Sequence, residues 1–170
     1  MKTLSDLAQA KEKPKFSPAL AEEKMAEILS DGFAVHTMQY SHKNLKIEAM
    51  FYLPTEMLRS FQTNFLQKNP HVSPNAVALA LYLRELTITM AGKPSLELKD
   101  IPRDFEKPAT LIPTDSKAFE ERVNRIGSLP AGIVDQLSKL LYEVLLLDRY
   151  LGGHVDEFGN PIEEDPFRVI

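Results

Sequence analysis

Apolar positions along this chain follow two rhythms, and the switches between them mark its elements. Residues 17–32 carry the helical one: Leu20, Met25, Ile28 and Leu29 recur at a spacing that puts them on one face. Ser17 suits the N-cap, Pro18 the first helical position and Gly32 the end, so a helix is predicted. The period then drops to two. Leu45, Ile47, Ala49, Phe51 and Leu53 alternate with Lys46, Glu48, Met50 and Tyr52, and the polar run 41–44 precedes them. This predicts a β-hairpin with strands at about 33–39 and 45–53. A lone hairpin is marginal in water, so it must pack on helices or pair with another strand.

After Pro54 the helical period returns. Thr55 suits a cap, and Met57, Leu58, Phe61, Phe65 and Leu66 form the stripe. Ser73 and Pro74 open a further helix, expected to run to Gly92 and to be central, because Ala76 to Leu83 is apolar all round. Residues 93–114 hold four of the twelve prolines and read as a long connection, with a short strand at 95–101. A short helix follows, with Phe119, Val123 and Ile126 inward, and Ser128 is expected to cap the next one. That last helix is the strongest element. Ile133, Leu137, Leu140, Val144, Leu147 and Leu151 are spaced 4, 3, 4, 3, 4. Such spacing serves the core helix of a bundle or a coiled-coil seam between copies.

The predicted fold class is α+β and mainly helical, with about five helices and a small antiparallel hairpin sheet of two or three strands. Three regions are expected: a mobile basic arm at 1–16, one α-rich domain at 17–151, and an acidic docking tail at 152–170. Charge sharpens the last boundary. Asp156, Glu157, Glu163, Glu164 and Asp165 against Arg168 place the whole formal charge of −4 in the tail. The body is neutral, and without a basic stripe or a tryptophan, nucleic-acid binding is not expected. Asp135, Gln136, Lys139 and Glu143 interrupt the longest apolar stretch, which argues against a membrane span. The first sixteen residues have no apolar core of the kind a signal peptide needs. A cytoplasmic location is expected, that of the host or the particle itself if the protein is viral.

Candidate chemistry changes little. The chain has no cysteine, which removes thiolate catalysis and thiolate metal sites. His36, His42, His71 and His154 fall in no metal-binding spacing. His154 with Asp156 and Glu157 suggests a ligand set, but Gly152, Gly153, Gly159 and Pro161 put it on a chain expected to be flexible. The pairs Glu22/Glu23 and Glu120/Glu121, with Lys24, Arg122 and Arg125, read as solvated helix faces. No phosphate loop is present, so no cofactor, metal or catalytic residue is assigned and the protein is expected not to be an enzyme. What remains is interaction. Pro166, Phe167, Val169 and Ile170 end the chain behind an acidic run, a segment able to add a strand or fill a groove, on this chain or another. Leu137, Leu140, Val144, Leu147 and Leu151 are the candidate seam for self-association.

The strand motif "LKIEAMFYLP" followed by "RVNRIGSLPAGIVDQLSKLLYEVLLL" resembles the tail- and baseplate-assembly proteins of tailed bacteriophages, including tail assembly chaperones. Ser128, Leu129, Pro130 and the helix after them carry the likeness, over about residues 33–150. The resemblance implies binding to other tail or baseplate components, such as a tape-measure protein, without catalysis. The expected function is thus a non-catalytic interaction module, an assembly factor or structural adaptor. A permanent virion component, a small enzyme with an unrecognised cleft, and a regulatory subunit are the alternatives.

Overall fold

Helix α1, Pro18–Asp31, starts where its caps dictate: Ser17 Oγ accepts from Leu20 N, and Gly32 ends it at φ 83°. The structure is a computed structural model and describes residues 13–97 and 111–162. Strands β1, Val35–His42, and β2, Leu45–Tyr52, form the expected hairpin around a two-residue turn in which Lys43 takes φ 52°. Helix α2, Glu56–Lys68, is capped by Thr55 Oγ1. Helix α3, Pro74–Tyr82, is capped by Ser73 Oγ. Strands β3, Leu83–Met90, and β4, Lys93–Glu97, follow. Helices α4, Ser116–Gly127, and α5, Ala131–Leu151, complete the described order.

The fold is α+β, with five helices and one antiparallel sheet among the described residues. The sheet is a meander, β1-β2-β3-β4, larger than the hairpin expected. The long helix predicted from Ser73 to Gly92 is the error. It stops at Tyr82, and the next residue already begins β3. Thr87, Ile88 and Thr89 are β-branched, and Leu86 and Ile88 alternate with Glu85 and Thr87. That half of the segment favours a pleated surface, where it pairs with β2 in the register Ile47↔Ile88 and Ala49↔Leu86. The register slips between Met50 and Phe51, leaving Arg84 as the extra residue of a bulge, with its guanidinium over the rings of Phe33 and Tyr52. Part of the strand expected at 95–101 falls in β4; its remainder lies outside the described residues.

One sheet face is apolar and one is polar. Ile47, Ala49, Phe51, Leu86 and Ile88 are buried on the inner side, and α5 packs across β1 and β2. Thr37, Gln39, Lys46, Glu48, Glu85 and Thr87 share the outer side, where Lys46 and Glu48 make an ion pair. Helix α3 is central, as its all-round apolar run predicts, and packs against α2, α4 and α5. Phe61, Phe65 and Phe119 lock α2 onto α4, with Phe119 edge-on to both other rings at 5.2 and 5.0 Å.

Two cations read as solvent-facing are the buried charges of the described structure. Lys24 is 6% and Arg122 1% exposed. Lys24 Nζ donates to Val35 O and pairs with Glu27, fastening α1 to the start of β1. Arg122 Nε donates to Ala80 O at 2.8 Å and its Nη2 to Leu83 O at 2.6 Å, across the α3–β3 junction. Ser128 is also corrected: it ends α4, its Oγ donating to Asn124 O, while Pro130 begins α5 without a side-chain cap.

The body is wider than 17–151. Phe16 is buried and stacks on Tyr150, and the amides of Lys15 and Phe16 both donate to Glu157 O. Residues 152–162 are not a loose tail. Asp156 Oδ1 accepts from Phe158 N and Asn160 N, folding a turn that Gly159 closes at φ 83°. Val155 is buried and bridges Pro161, and Ile162 N returns to His154 O. The mobile-arm expectation for residues 1–12 lies outside the described residues.

Candidate functional site: a mixed cleft beside an outward-turned helix

Helix α1 buries its lysine and exposes its hydrophobes. Met25 is 48%, Ile28 37% and Leu29 85% exposed, while Leu20 alone of the expected face packs against the core. Three of the four residues of that apolar face are therefore turned away from the core. The helix axis is rotated so that the long stem of Lys24 reaches the β1 carbonyl and its ammonium is satisfied there. Met25 and Ile28 consequently edge a cleft of about 850 Å³. Its other walls come from α2 through Arg59 and Gln62, from α3 through Tyr82, and from α5 through Leu145, Asp148 and Arg149. Gly152 and His154 also line it.

Burial sets the electrostatics of this cleft. The Tyr82 hydroxyl donates to Gln62 Oε1 at 3.1 Å. Burial pushes its pKa up to about 12, with Arg59 opposing and Asp148 adding to the shift. Burial likewise raises the Asp148 carboxyl, and the charges of Arg59, Arg149 and His154 pull it partly back. For Asp148 the folded state favours the protonated form. Its ionised carboxylate therefore costs the fold stability at neutral pH, a penalty that fades on acidification. Strained ionisation inside a cleft is a common sign of a binding or reacting surface.

Tyr82 yields a direct titration. A raised phenol value means that its contribution to stability is whole below pH 10 and is lost as pH rises toward 12. Tyr82 should give a tyrosinate absorbance step near pH 12, and Tyr82→Phe should remove that step. A variant that keeps the step would assign it to a tyrosine other than Tyr82.

The sequence-predicted site residues distribute as follows. Leu137, Leu140, Val144 and Leu147 are buried in this chain's own core, and Leu151 is half-buried and lines the cleft. The seam expected between copies is thus filled by α3 and the sheet, which cover the wide face of α5. Pro166, Phe167, Val169 and Ile170 lie outside the described residues. His42 and His71 are exposed, and His36 is half-buried, its pKa lowered by burial and then by the Lys24 charge. Among the described residues, no group of three or more His, Asp or Glu side chains is placed to hold a metal. No helix there is long and apolar enough to cross a membrane. Sequence reading missed Tyr82, Arg59 and Asp148, which come from three helices and share no local motif. Comparison with family models, curated proteins and solved structures finds no match to this chain.

Proposed function

We propose that this protein is a non-catalytic protein–protein interaction module, an assembly factor or structural adaptor, that recognises its partner through α1 and the adjoining cleft. The observation that carries the reading is the rotation of α1. A helix that buries lysine and holds Met25, Ile28 and Leu29 toward solvent spends its apolar surface outside the core. Contiguous exposed hydrophobes of this kind mark interaction surfaces. Methionine at such a surface adapts to varied partner shapes. The matching partner is a segment with apolar side chains and acidic flanks, which Arg59 and Arg149 would meet at the cleft. In the setting the sequence resemblance implies, that partner is a tail or baseplate protein of a tailed bacteriophage, met in the host cytoplasm.

The second reading, an enzyme, draws on the convergence of Tyr82, Asp148 and His154 at one cleft. Its weakness is chemical: general acid–base catalysis works best with a pKa near the operating pH, and the Tyr82 hydroxyl is moved away from it.

The test is a pair of charge substitutions, Met25→Asp with Leu29→Asp. Both sites are exposed, so stability should stay within about 1 kcal/mol of the parent. Affinity capture from host lysate should bring down tail or baseplate proteins with the parent chain and at least ~10-fold less with the variant. Equal capture by both would remove α1 from the mechanism, and capture of metabolic enzymes alone would end the assembly reading.

A further inference from the structure

We propose that the cleft between α1, α2 and α5 is a site for an apolar ligand bearing one carboxylate, in which Arg59 and Arg149 hold the carboxylate and Asp148 takes up a proton from solvent as it arrives. This rests on the recognition role proposed above for the same cleft and names the chemistry of what enters it.

Three observations support it. The first is an unmatched pair of cations. The ion pairs among the described residues are Lys15 with Glu143, Lys24 with Glu27 and Lys46 with Glu48, and neither Arg59 nor Arg149 enters one. Both line the cleft, and a guanidinium meets a carboxylate through two parallel N–H donors. The second is a fixed neutral donor beside an apolar wall. The Tyr82 hydroxyl donates to Gln62 Oε1, and burial keeps that phenol protonated, so the Gln62 amide nitrogen is left to donate. Met25, Ile28 and Leu145 offer apolar surface to the rest of the ligand. The third is Asp148. It is half-buried, joins none of those ion pairs, and repels an arriving anion while it is ionised. Burial already raises its carboxyl, and the charges that oppose this are Arg59, then Arg149 and His154. The remaining lining adds only the neutral phenol of Tyr82 from α3, and α1 brings no charged group to the cleft. A bound carboxylate engages the two arginines and adds a like charge. Both effects drive Asp148 to its neutral form, which can itself donate a hydrogen bond to the ligand.

Titration calorimetry on the full chain tests this with two probes. Acetyl-Leu-Glu-Leu-Phe-amide stands for a partner's side-chain carboxylate, and decanoate, below its micelle concentration, for a free amphiphile. Binding of either supports the site, and the tighter of the two names the source of the carboxylate. Run at about pH 6 in two buffers of different ionisation enthalpy, binding should take up a fraction of one proton. The dissociation constant should fall at least ~3-fold between about pH 7.5 and about pH 5.5. Asp148→Asn should bind without proton uptake and with a constant that is flat over that range. Should it melt early, Asp148→Ser replaces it, and the proton count on the parent needs no variant. Arg59 and Arg149 are exposed, so Arg59→Gln with Arg149→Gln should fold and bind at least ~10-fold more weakly. Failure of both probes to bind at millimolar concentration, or binding without proton uptake, would overturn the proposal. A pH dependence kept by Asp148→Asn and lost by His154→Gln would also overturn it, by giving the proton to the histidine. The two readings fail separately. Peptide binding without proton uptake, with capture lost in Met25→Asp and Leu29→Asp, leaves the recognition surface standing. Proton-coupled binding with unchanged capture leaves the carboxylate site and removes the partner surface.

Discussion

Replacing Arg122 with Met lowers the unfolding free energy by about 3 kcal/mol. The methionine fills most of the arginine's stem, so the loss reports the guanidinium. That group is 1% exposed and donates to Ala80 O and Leu83 O. Without it, two carbonyls at the point where α3 becomes β3 are buried with a donor removed, and each such group costs ~1–3 kcal/mol. Arg122→Lys should fall between the two, because an ammonium cannot reproduce the planar fork. Arg125 lies on the same helix but is exposed, and Arg125→Met should change stability by no more than about 0.5 kcal/mol. Urea denaturation of the four proteins measures this. Equal losses at positions 122 and 125 would mean that the junction holds itself together.

Leu147→Ala on α5 should cost about 3 kcal/mol, within the ~2–5 kcal/mol of buried leucine truncations. Leu147 is fully enclosed by this chain's own elements. The more informative outcome is what the loss does not depend on. If the leucine stripe belongs to the core, the melting temperatures of parent and variant are the same at protein concentrations tenfold apart. A stripe shared between copies ties melting to concentration through mass action. A parent midpoint that climbs with concentration, together with a variant whose midpoint does not, would restore the self-association seam.

Local signals in this sequence were legible wherever one residue does one job. Ser17, Thr55 and Ser73 cap the helices that follow them because capping involves neighbours only three positions away. The β2 alternation reads directly because a half-buried strand in an antiparallel sheet repeats every two residues. Helix α5 shows its period because Leu137, Leu140, Val144 and Leu147 are buried against α3 and the sheet. The α3–β3 junction was not legible. Neither Gly nor Pro separates Tyr82 from Leu83, and the side chain that satisfies Leu83 O arrives from 39 positions downstream. The orientation of α1 was hidden for a similar reason. Met25, Ile28 and Leu29 look like a core face until the β1 carbonyl that captures Lys24 is in place. The cleft drew on five separate segments, and no window of sequence contains more than a fragment of it.

The clasp between the two ends of the described chain also sets an order of events during synthesis. Lys15 pairs with Glu143, 128 positions later, and the ring seat of Phe16 includes Tyr150. Contacts of such long range are closed late, because loop closure must precede them. A nascent chain therefore leaves the ribosome with Phe16 bare and α1 lacking its far-end support until residue 157 has emerged. Throughout that interval α1 is fastened to β1 through Lys24 without the clasp, so a partner or chaperone present during translation meets Met25, Ile28 and Leu29 before the two ends have joined.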